Sequence, residues 1–389
     1  MKTIKSGFLV TILLLSTTAL TGCWDYREIN ELAIVAGIAV DKSDDGNKYV
    51  LTAEIVDLKG AGKENKIQSK KVQAEGKSFS DAVRNAIRIC GKHLYWSHSD
   101  IVIISQDVAK EGIMPIVDVY HRVRETRLPS HILISKEKTA KELLSQESIS
   151  TEIRTVEMKK MIVSEKDFLG KSPHVDVRTL INMLGSEGQA PILSAIGIVN
   201  NEGTYTSELS GAAIFRGDKF VGFIDGEETK FLLFIEDQIK DTMLTLHENI
   251  DSKYNGTTIE IHKNKTKVKA VKLNGKLSIN IEINSEASLN ELSVTENLLD
   301  NKGHRKLEKE AEVTLKANIE HVIKKVQEEY DLDIFGFGAT VKRDMPSEWK
   351  TISSKWNKEF KGLDVKVKTN IEIKESGISS KPIKVDYKK

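Results

Sequence analysis

Residues 32–40 read Leu32-Ala33-Ile34-Val35-Ala36-Gly37-Ile38-Ala39-Val40, a run without one polar side chain. A short apolar run bounded by polar residues is typical of a β-strand that is buried on both faces of its sheet. After this run, Asp45-Gly46 predicts a turn, and residues 49–57 continue with β-rich composition. The stretch 32–57 therefore predicts a hairpin whose first strand lies inside a layered protein.

Short strands and helices alternate over the next part of the chain. Residues 59–71 are mainly Gly, Lys, Glu, Asn and Gln and predict a mobile loop. Ser78-Phe79-Ser80-Asp81 offers side-chain caps for a helix with the apolar stripe Ala82, Ala86, Ile89 and Cys90. Further strands are predicted at 101–104 and 132–134, and further helices at 113–121 and 139–144. This alternation favours mixed α/β layers.

The second half of the chain has a different pattern. The segment Arg216-Gly217-Asp218-Lys219 predicts a hairpin turn, and strands are predicted at 257–261, 268–273 and 277–283. Apolar residues at three- and four-residue steps predict one long helix between Gly303 and Tyr330. In the closing strand, Val365 to Ile373 alternate with lysines and other polar residues, so one face of that strand is expected to be wet.

We expect an α+β or mixed α/β fold, with three small domains that each have a mixed or antiparallel sheet flanked by helices. The turn residues at 200–203 predict a division there. The expected organisation is a removed signal segment at 1–22, an N-terminal region of two subdomains at 23–200, a C-terminal domain at 205–376 and a flexible tail at 377–389.

The N-terminus has the three parts of a secretory signal. Lys2 and Lys5 are followed by the mostly apolar segment 8–20, which at about 13 residues is too short to span a bilayer. Leu20-Thr21-Gly22-Cys23 resembles a lipobox, in which the thiol receives a diacylglycerol before cleavage. Cys23 is therefore expected to be lipidated and to hold the protein on the outer face of a membrane.

Composition excludes several function classes. The 58 basic and 57 acidic residues nearly cancel, and no long basic run occurs, so nucleic acid is not an expected partner. The chain has two cysteines, and with Cys23 acylated the remaining thiol, Cys90, cannot form an intramolecular disulfide. Cys90 is expected to be a buried structural thiol.

Several segments, in order along the chain, together resemble the Ger(x)C family, the lipoprotein C subunits of nutrient germinant receptors in spore-forming bacteria. The first is Gly22 to Asp41, which includes Cys23-Trp24-Asp25-Tyr26-Arg27-Glu28. The others are Gly76 to Ala82, His98, Arg122 to Arg127, Leu209 to Phe215 with Asp218 to Gly222, Asp333 to Gly338, Pro346, Trp349, Trp356 and Phe360. One departure is Val123, where the family pattern suggests Asp.

The resemblance implies a non-catalytic accessory subunit on the outer face of the spore inner membrane, without a cofactor. Its implied partners are two integral membrane subunits, of A type and B type, and its implied role is nutrient-triggered germination. The competing class is a lipid-anchored extracytoplasmic solute-binding protein, which should show two similar lobes around a cleft. An envelope hydrolase is a third class, disfavoured because no catalytic motif stands out.

Two segments are candidate sites. Trp24, Asp25, Tyr26, Arg27 and Glu28 directly follow the anchor and are candidates for contact with the membrane interface or with a membrane partner. The second segment contains Asp333, Phe335, Gly336, Phe337 and Gly338. It lacks the spacing of a phosphate-binding loop and is expected to be a structural turn or, alternatively, a partner-contacting loop.

Two other groups of polar residues have plainer interpretations. Arg122, Arg124 and Arg127 around Glu125 suit either an anion clamp or, more simply, a surface ion-pair cluster. His93 and His98 offer too few ligands for zinc, and their spacing does not place both on one helix face, so no metal is predicted.

Overall fold

The computed structural model describes residues 31–57, 67–246, 256–273, 275–292 and 301–375, together with the single residues Gly7 and Glu28. The predicted signal segment apart from Gly7, Cys23, the stretch Trp24–Arg27 and the predicted tail at 377–389 all lie outside the described residues. Over the described ranges, no helix has both the length and the apolar character needed to cross a bilayer.

The first sheet has nine strands. They are β1 Leu32–Lys42, β2 Tyr49–Asp57, β3 Gln68–Gly76, β4 His93–Tyr95, β5 Ile101–Ile104, β6 His131–Ser135, β7 Ile192–Asn201, β8 Thr204–Arg216 and β9 Lys219–Ile224. Their order is β3-β2-β1-β5-β6-β7-β8-β9, and β4 pairs with the start of β1. In the centre of the sheet, the pairs β1–β5, β5–β6 and β6–β7 are parallel. At the two ends, the pairs β3–β2, β2–β1, β7–β8 and β8–β9 are antiparallel.

Helices cover both faces of this sheet. They are α1 Phe79–Asn85, α2 Ile87–Cys90, α3 Gln106–Glu111, α4 Met114–Arg122, α5 Ala140–Ser145, α6 Arg154–Phe168 and α7 Val177–Leu184. One core contains Ile38 and Val40 with residues of α1, α3, α4 and α7, and the opposite core contains Ala39 with residues of α5 and α6. The apolar run in β1 is therefore buried on both faces, as predicted.

The second sheet has four strands, in the order β10-β11-β12-β13. The elements of this part are α8 Gly226–Ile235, β10 Thr242–Thr245, β11 Thr258–Leu273, β12 Lys276–Glu291, α9 Asn301–Glu329, α10 Phe337–Asp344, α11 Pro346–Ile352, a 3-10 turn Ser353–Lys355, α12 Trp356–Lys361 and β13 Asp364–Glu375. β12 and β13 pair in parallel, and the other two pairs are antiparallel. Leu315, Ile319 and Val322 of α9 pack into the core beneath the sheet.

The mixed α/β fold class is confirmed, and so are the hairpin at β1–β2, the long helix and the alternation in β13. The described residues form two sheets. The predicted division at 200–205 falls on the turn between β7 and β8, and the first sheet continues to Ile224. The domain limits therefore remain a prediction.

Three local predictions were wrong. Residues 68–71 belong to strand β3 and not to a loop, because pairing with β2 orders a polar edge strand that has no apolar pattern of its own. Ile89 is 62% exposed, since the helix after Ser78 breaks at Ala86 and the second short helix turns that side chain outward. The separate strands at 257–261 and 268–273 are one long strand, β11.

Candidate functional site

The Asp333–Gly338 segment is a tight turn between α9 and α10. Gly336 has a φ of 74°, in the left-handed region where glycine is strongly favoured. The rings of Phe335 and Phe337 stack with their centroids 5.2 Å apart, and both side chains are buried in the core of the second sheet. The sequence therefore uses glycine to turn the backbone and phenylalanine to fix the turn to the core.

The carboxylate of Asp333 organises this turn from the inside. It accepts hydrogen bonds from the backbone N–H of Phe335 at 3.0 Å, the N–H of Gly338 at 2.7 Å and the indole Nε1 of Trp356 at 3.1 Å. Burial raises the pKa of Asp333 to about 6, although these three donors oppose the shift. Because its oxygens are occupied by donors of the chain itself, this carboxylate is a positioning group.

The turn is also where the two sheets meet. The backbone N–H of Ala190 donates to the carbonyl of Asp333 at 2.7 Å, and the N–H of Ala339 donates to the carbonyl of Gly188 at 3.2 Å. A Cβ on Gly338 would lie 2.6 Å from Gly188 Cα. The loop between α7 and β7 therefore lies directly against the turn, and glycine on both sides permits this approach.

A second polar contact, which is partly buried, lies beside this one. The amide Nε2 of Gln189 donates to Glu236 Oε1 at 2.9 Å. Loss of solvent around Glu236, which follows α8, raises the pKa of its carboxyl to about 8. The junction of the sheets therefore holds two carboxyl groups, Asp333 and Glu236, with raised pKa values.

Beside the turn is a partly open cavity of about 490 Å³, lined mainly by the α7–β7 loop, Asp333, Trp349 and Trp356. Its walls are fixed by contacts across the junction, since Trp349 Nε1 donates to Glu187 at 3.3 Å and Lys342 pairs with Glu187 at 2.9 Å. The burial of Asp333, Phe335 and Phe337 favours the structural interpretation of this segment over a partner-contacting loop.

The arginines around Glu125 do not converge on one point. Arg122 pairs with Asp118 on α4 at 2.7 Å, and Arg127 donates to the carbonyl of Ser97 at 3.4 Å. Glu125 accepts from His93, at 3.1 Å. This arrangement favours the surface ion-pair interpretation.

Residues 123–126 line one side of an apolar cavity of about 420 Å³, whose other walls include Leu94, Trp96 and Tyr120.

His93 and His98, the two histidines discussed in the sequence analysis, contact different residues. His93 pairs with Glu125, and the ring of His98 lies 6.0 Å from that of Tyr95. A set that the sequence analysis missed, Asp241, Glu260 and His262, brings three possible ligand atoms within 4.8 Å of one another. Asp241 and Glu260 are half-buried and His262 is exposed, and acidic groups near the surface commonly lie together without binding a metal.

Cys90 is half-buried, and its Sγ donates to the carbonyl of Lys92 at 3.2 Å.

A buried ionic cluster was also missed. Glu54 on β2 is 1% exposed and accepts from the backbone N–H groups of Arg154 and Thr155, at 3.0 and 2.8 Å, so it caps α6. The guanidinium of Arg154 in turn pairs with Glu157. The sequence signal was present, since Glu54 is a charged residue in the middle of a mostly apolar strand.

The chain matches two family models of spore germination proteins, one after the other. The model described as "Spore germination protein N-terminal domain" matches residues 25–198, and the model "Spore germination B3/ GerAC like, C-terminal" matches residues 210–377. The chain is 23% identical to spore germination protein KC of Bacillus subtilis (strain 168), over 99% of both chains. It is 24% identical to spore germination protein B3 of the same organism, over 95% of this chain and 98% of the relative.

A solved structure supports the fold. The crystal structure of the GerBC protein superposes with a TM-score of 0.54, at 21% identity, over 87% of this chain and 97% of that one. The two family models follow one another in chain order, and together they reach from residue 25 to residue 377, nearly the whole chain. This protein therefore belongs to the Ger(x)C family of spore germination proteins.

Proposed function

We propose that the chain is a lipid-anchored accessory subunit of a spore nutrient germinant receptor, required for nutrient-triggered germination and without catalytic activity. The observation that carries the proposal is the ordered match of both spore germination models to residues 25–198 and 210–377. Several relatives bear the names of spore germination proteins, including A3, B3 and KC of Bacillus subtilis.

The chemistry of the junction supports a non-catalytic role. Catalytic acids and bases commonly have shifted pKa values, but they also need access to a substrate. The carboxylate of Asp333 is 2% exposed and holds three donors from the same chain. Glu165, whose pKa is raised to about 7 by burial, accepts from the backbone N–H of Lys171 in the same way. Both groups hold the backbone in place.

The architecture does not favour a solute-binding protein. Such a protein should have two similar lobes around a cleft, whereas the described residues form a nine-stranded sheet and a four-stranded sheet of different topology. The junction between them is held together by the buried Asp333 turn, and the partly open cavity lies beside it. The family resemblance implies that the partners are the A-type and B-type integral membrane subunits, which the body meets on the outer face of the spore inner membrane through its Cys23 anchor.

Affinity capture from spore membranes tests this proposal. Wild-type chain should recover two integral membrane proteins, and Cys23→Ala should lose both acylation and most of that recovery. Cys90→Ala is the matched control, because it removes the other cysteine without touching the anchor. Deletion of the gene should slow or abolish germination in response to at least one nutrient. Normal germination to every nutrient, with no membrane partner captured, would refute the proposal.

A further inference from the structure

The outer face of the four-stranded sheet carries more lysines than carboxylates. Alternate residues of β11 and β13 point away from the core, and their lysines are Lys263, Lys265, Lys267, Lys269, Lys366, Lys368 and Lys374. Among the described residues, the acidic side chains on the same face include Glu260, Glu282, Glu286, Asp364 and Glu372. The whole chain has a formal net charge of only +1, so this excess is a local feature.

Part of this charge is neutralised by neighbours. Glu286 lies between Lys263 and Lys374, at 2.9 and 2.8 Å, and Lys265 pairs with Asp237. These contacts lie at one end of the sheet. At the other end, four lysines of the face outnumber the two carboxylates on it, Glu282 and Asp364.

Four lysines at that other end define what we call the basic sheet face: Lys267, Lys269, Lys366 and Lys368. In the register of the sheet, Lys267 and Lys368 flank Glu282, and Lys269 and Lys366 flank Asn280. Lys368 lies 3.9 Å from Glu282, and the other three lysines have no carboxylate within 4.0 Å in the parts of the chain that the structure describes.

These positive charges are packed closely. Strands lie about 4.8 Å apart and alternate residues on a strand about 7 Å apart, so the four Cβ atoms occupy a patch of roughly 7 by 10 Å. All four residues are exposed. Like charges this close repel one another, and a nearby anionic surface would relieve that repulsion.

We propose that the basic sheet face docks on the anionic headgroup surface of the membrane. The inference rests on the proposed function, because the Cys23 anchor supplies that membrane. A protein partner fits the face less well, since protein interfaces are depleted in lysine and depend on buried aromatic or arginine side chains. A headgroup layer attracts exposed, hydrated lysines and requires no shape complementarity.

Docking of this kind would set the orientation of the body. The segment from Cys23 to Leu32 spans at most about 30 Å when extended, so the anchor limits the distance from the bilayer but not the face that is presented. Electrostatic attraction to the headgroups acts within a Debye length of about 8–10 Å. The basic sheet face would therefore hold one side of the second sheet against the membrane.

The test uses the full mature chain, residues 23–389, with Cys23→Ser so that no acyl chain contributes to binding. Its partitioning is measured by co-sedimentation with vesicles of phosphatidylcholine and with vesicles containing phosphatidylglycerol as well. Each lysine at an anionic surface contributes about five-fold to partitioning. Changing all four lysines of the basic sheet face to Gln should therefore weaken binding to the anionic vesicles by on the order of 600-fold. Binding should also weaken as salt rises.

The matched control removes the same charge elsewhere. Lys110, Lys316, Lys324 and Lys355 are exposed and lie on helices or beside them, and changing them to Gln should alter binding only a few-fold. Equal losses in both variants, no preference for anionic vesicles, or no binding at all would overturn the proposal. If the four-lysine variant lost capture of membrane partners in detergent while vesicle binding was unchanged, the face would bind an acidic protein, and the bilayer proposal would be wrong.

The two proposals fail separately. Partner capture and germination are measured with the acylated chain in spores, whereas vesicle binding is measured with the non-acylated chain alone. A negative vesicle result therefore removes the docking surface and leaves the receptor role standing.

Discussion

At the scale of single residues, the junction between the sheets depends on backbone atoms that approach closely. Gly338 is the clearest case, because its missing side chain leaves room for Gly188 and for the indole of Trp356. The Asp333 carboxylate then closes the turn by accepting from Gly338 and Trp356. Small changes here act on the contact between the two sheets as well as on the turn.

Gly338→Ala should lower the free energy of unfolding by about 3 kcal/mol, since overpacking a fixed contact costs about 1–3 kcal/mol and the Asp333 hydrogen bonds are strained with it. The new Cβ would lie 2.6 Å from Gly188 Cα and 2.7 Å from Trp356 Nε1. Urea unfolding followed by circular dichroism measures the change. Gly362→Ala is the control, because nothing lies within 4 Å of its Cβ position, and a loss as large as that of Gly338→Ala would contradict the packing explanation.

His174 gives the protein an acid sensitivity. Burial and the nearby ring of His131, with centroids 4.7 Å apart, lower the pKa of His174 to about 4. The unfolded chain, with a histidine pKa of about 6.5, therefore binds the proton first as pH falls. The stabilisation that the neutral His174 ring contributes is fully present above pH ~6.5 and is lost as pH falls toward ~4. It amounts to about 2 kcal/mol of unfolding free energy, after allowance for the partial exposure of the ring.

His174→Gln should remove this contribution. The free energy of unfolding is measured at several pH values between pH ~7 and pH ~4, and the variant should lose less stability than wild type over that range. His121→Gln, an exposed histidine on α4, is the control and should follow the wild-type curve. Parallel curves for wild type and His174→Gln would show that His174 does not titrate between the two limits.

At the scale of elements, both edges of the second sheet are closed by carboxylates. At β13, the backbone N–H of Ile371 donates to Glu312 at 3.3 Å, and that of Ile373 donates to Glu308 at 3.0 Å. Unpaired edge N–H groups invite pairing with another chain, so helix α9 protects this strand as well as covering its inner face.

The opposite edge of the sheet, at β11, is also protected by carboxylates that accept hydrogen bonds from backbone N–H groups. Where β10 no longer covers β11, the backbone N–H of Thr266 donates to Asp237 at 2.7 Å and that of Ala270 donates to Asp344 at 3.1 Å. The carboxylates come from the segment after α8 and from α10. Each of these helical segments therefore has a second role beyond packing.

Changing both Glu308 and Glu312 to Ala should expose the outer half of β13. Each lost hydrogen bond contributes about 1 kcal/mol, so amide exchange at Ile371 and Ile373 should accelerate by about five-fold. Hydrogen exchange measured by NMR gives the rates. Glu320→Ala, on the same helix but paired only with Lys316 at 3.8 Å, should leave both rates unchanged. Unchanged exchange in the double variant would mean that the glutamates do not protect the edge.

The elements differ in how far the sequence predicts them. β1 and β13 were predicted because the order of their apolar residues matches their burial, a continuous apolar run in β1 and an alternating pattern in β13. Helix α6 was not predicted, since its buried side includes Arg154, Glu157 and Glu165, which pair within the protein and leave no apolar stripe. β3 was missed because an edge strand takes its order from β2 and not from its own composition.

The candidate site was predictable only in part. The glycines and phenylalanines of 333–338 indicated a turn with core aromatics. Its partners, Gly188 and Gln189, lie about 150 residues earlier in a loop with no motif, and only the folded chain brings them to Asp333. The basic sheet face has a visible source in the alternating lysines of β11 and β13, but the register that places Lys267 opposite Glu282 is a property of the sheet.

At the scale of the whole molecule, the first sheet does not end where its sequence pattern changes. β8 and β9 follow the turn at 201–204, yet they complete the nine-stranded sheet and bury Ala213 and Phe215 in one of its cores. On the opposite face, Ile214 packs in the core of the second sheet. The strands after residue 204 therefore join the two halves of the chain.

This arrangement predicts how fragments of the chain behave. A fragment of residues 31–225 keeps all nine strands, and we expect it to be monomeric and to unfold cooperatively, although at a lower urea midpoint than the whole chain because Ile214 and Ile224 lose their covering. A fragment of residues 31–201 leaves β7 as an unpaired edge with apolar residues on it, and such edges aggregate. Size-exclusion chromatography with light scattering, followed by urea unfolding, compares the two. If residues 31–201 were monomeric and as stable as residues 31–225, the structural limit would lie at 200–205, where the turn residues placed it, and β8 and β9 would be additions to a sheet already complete.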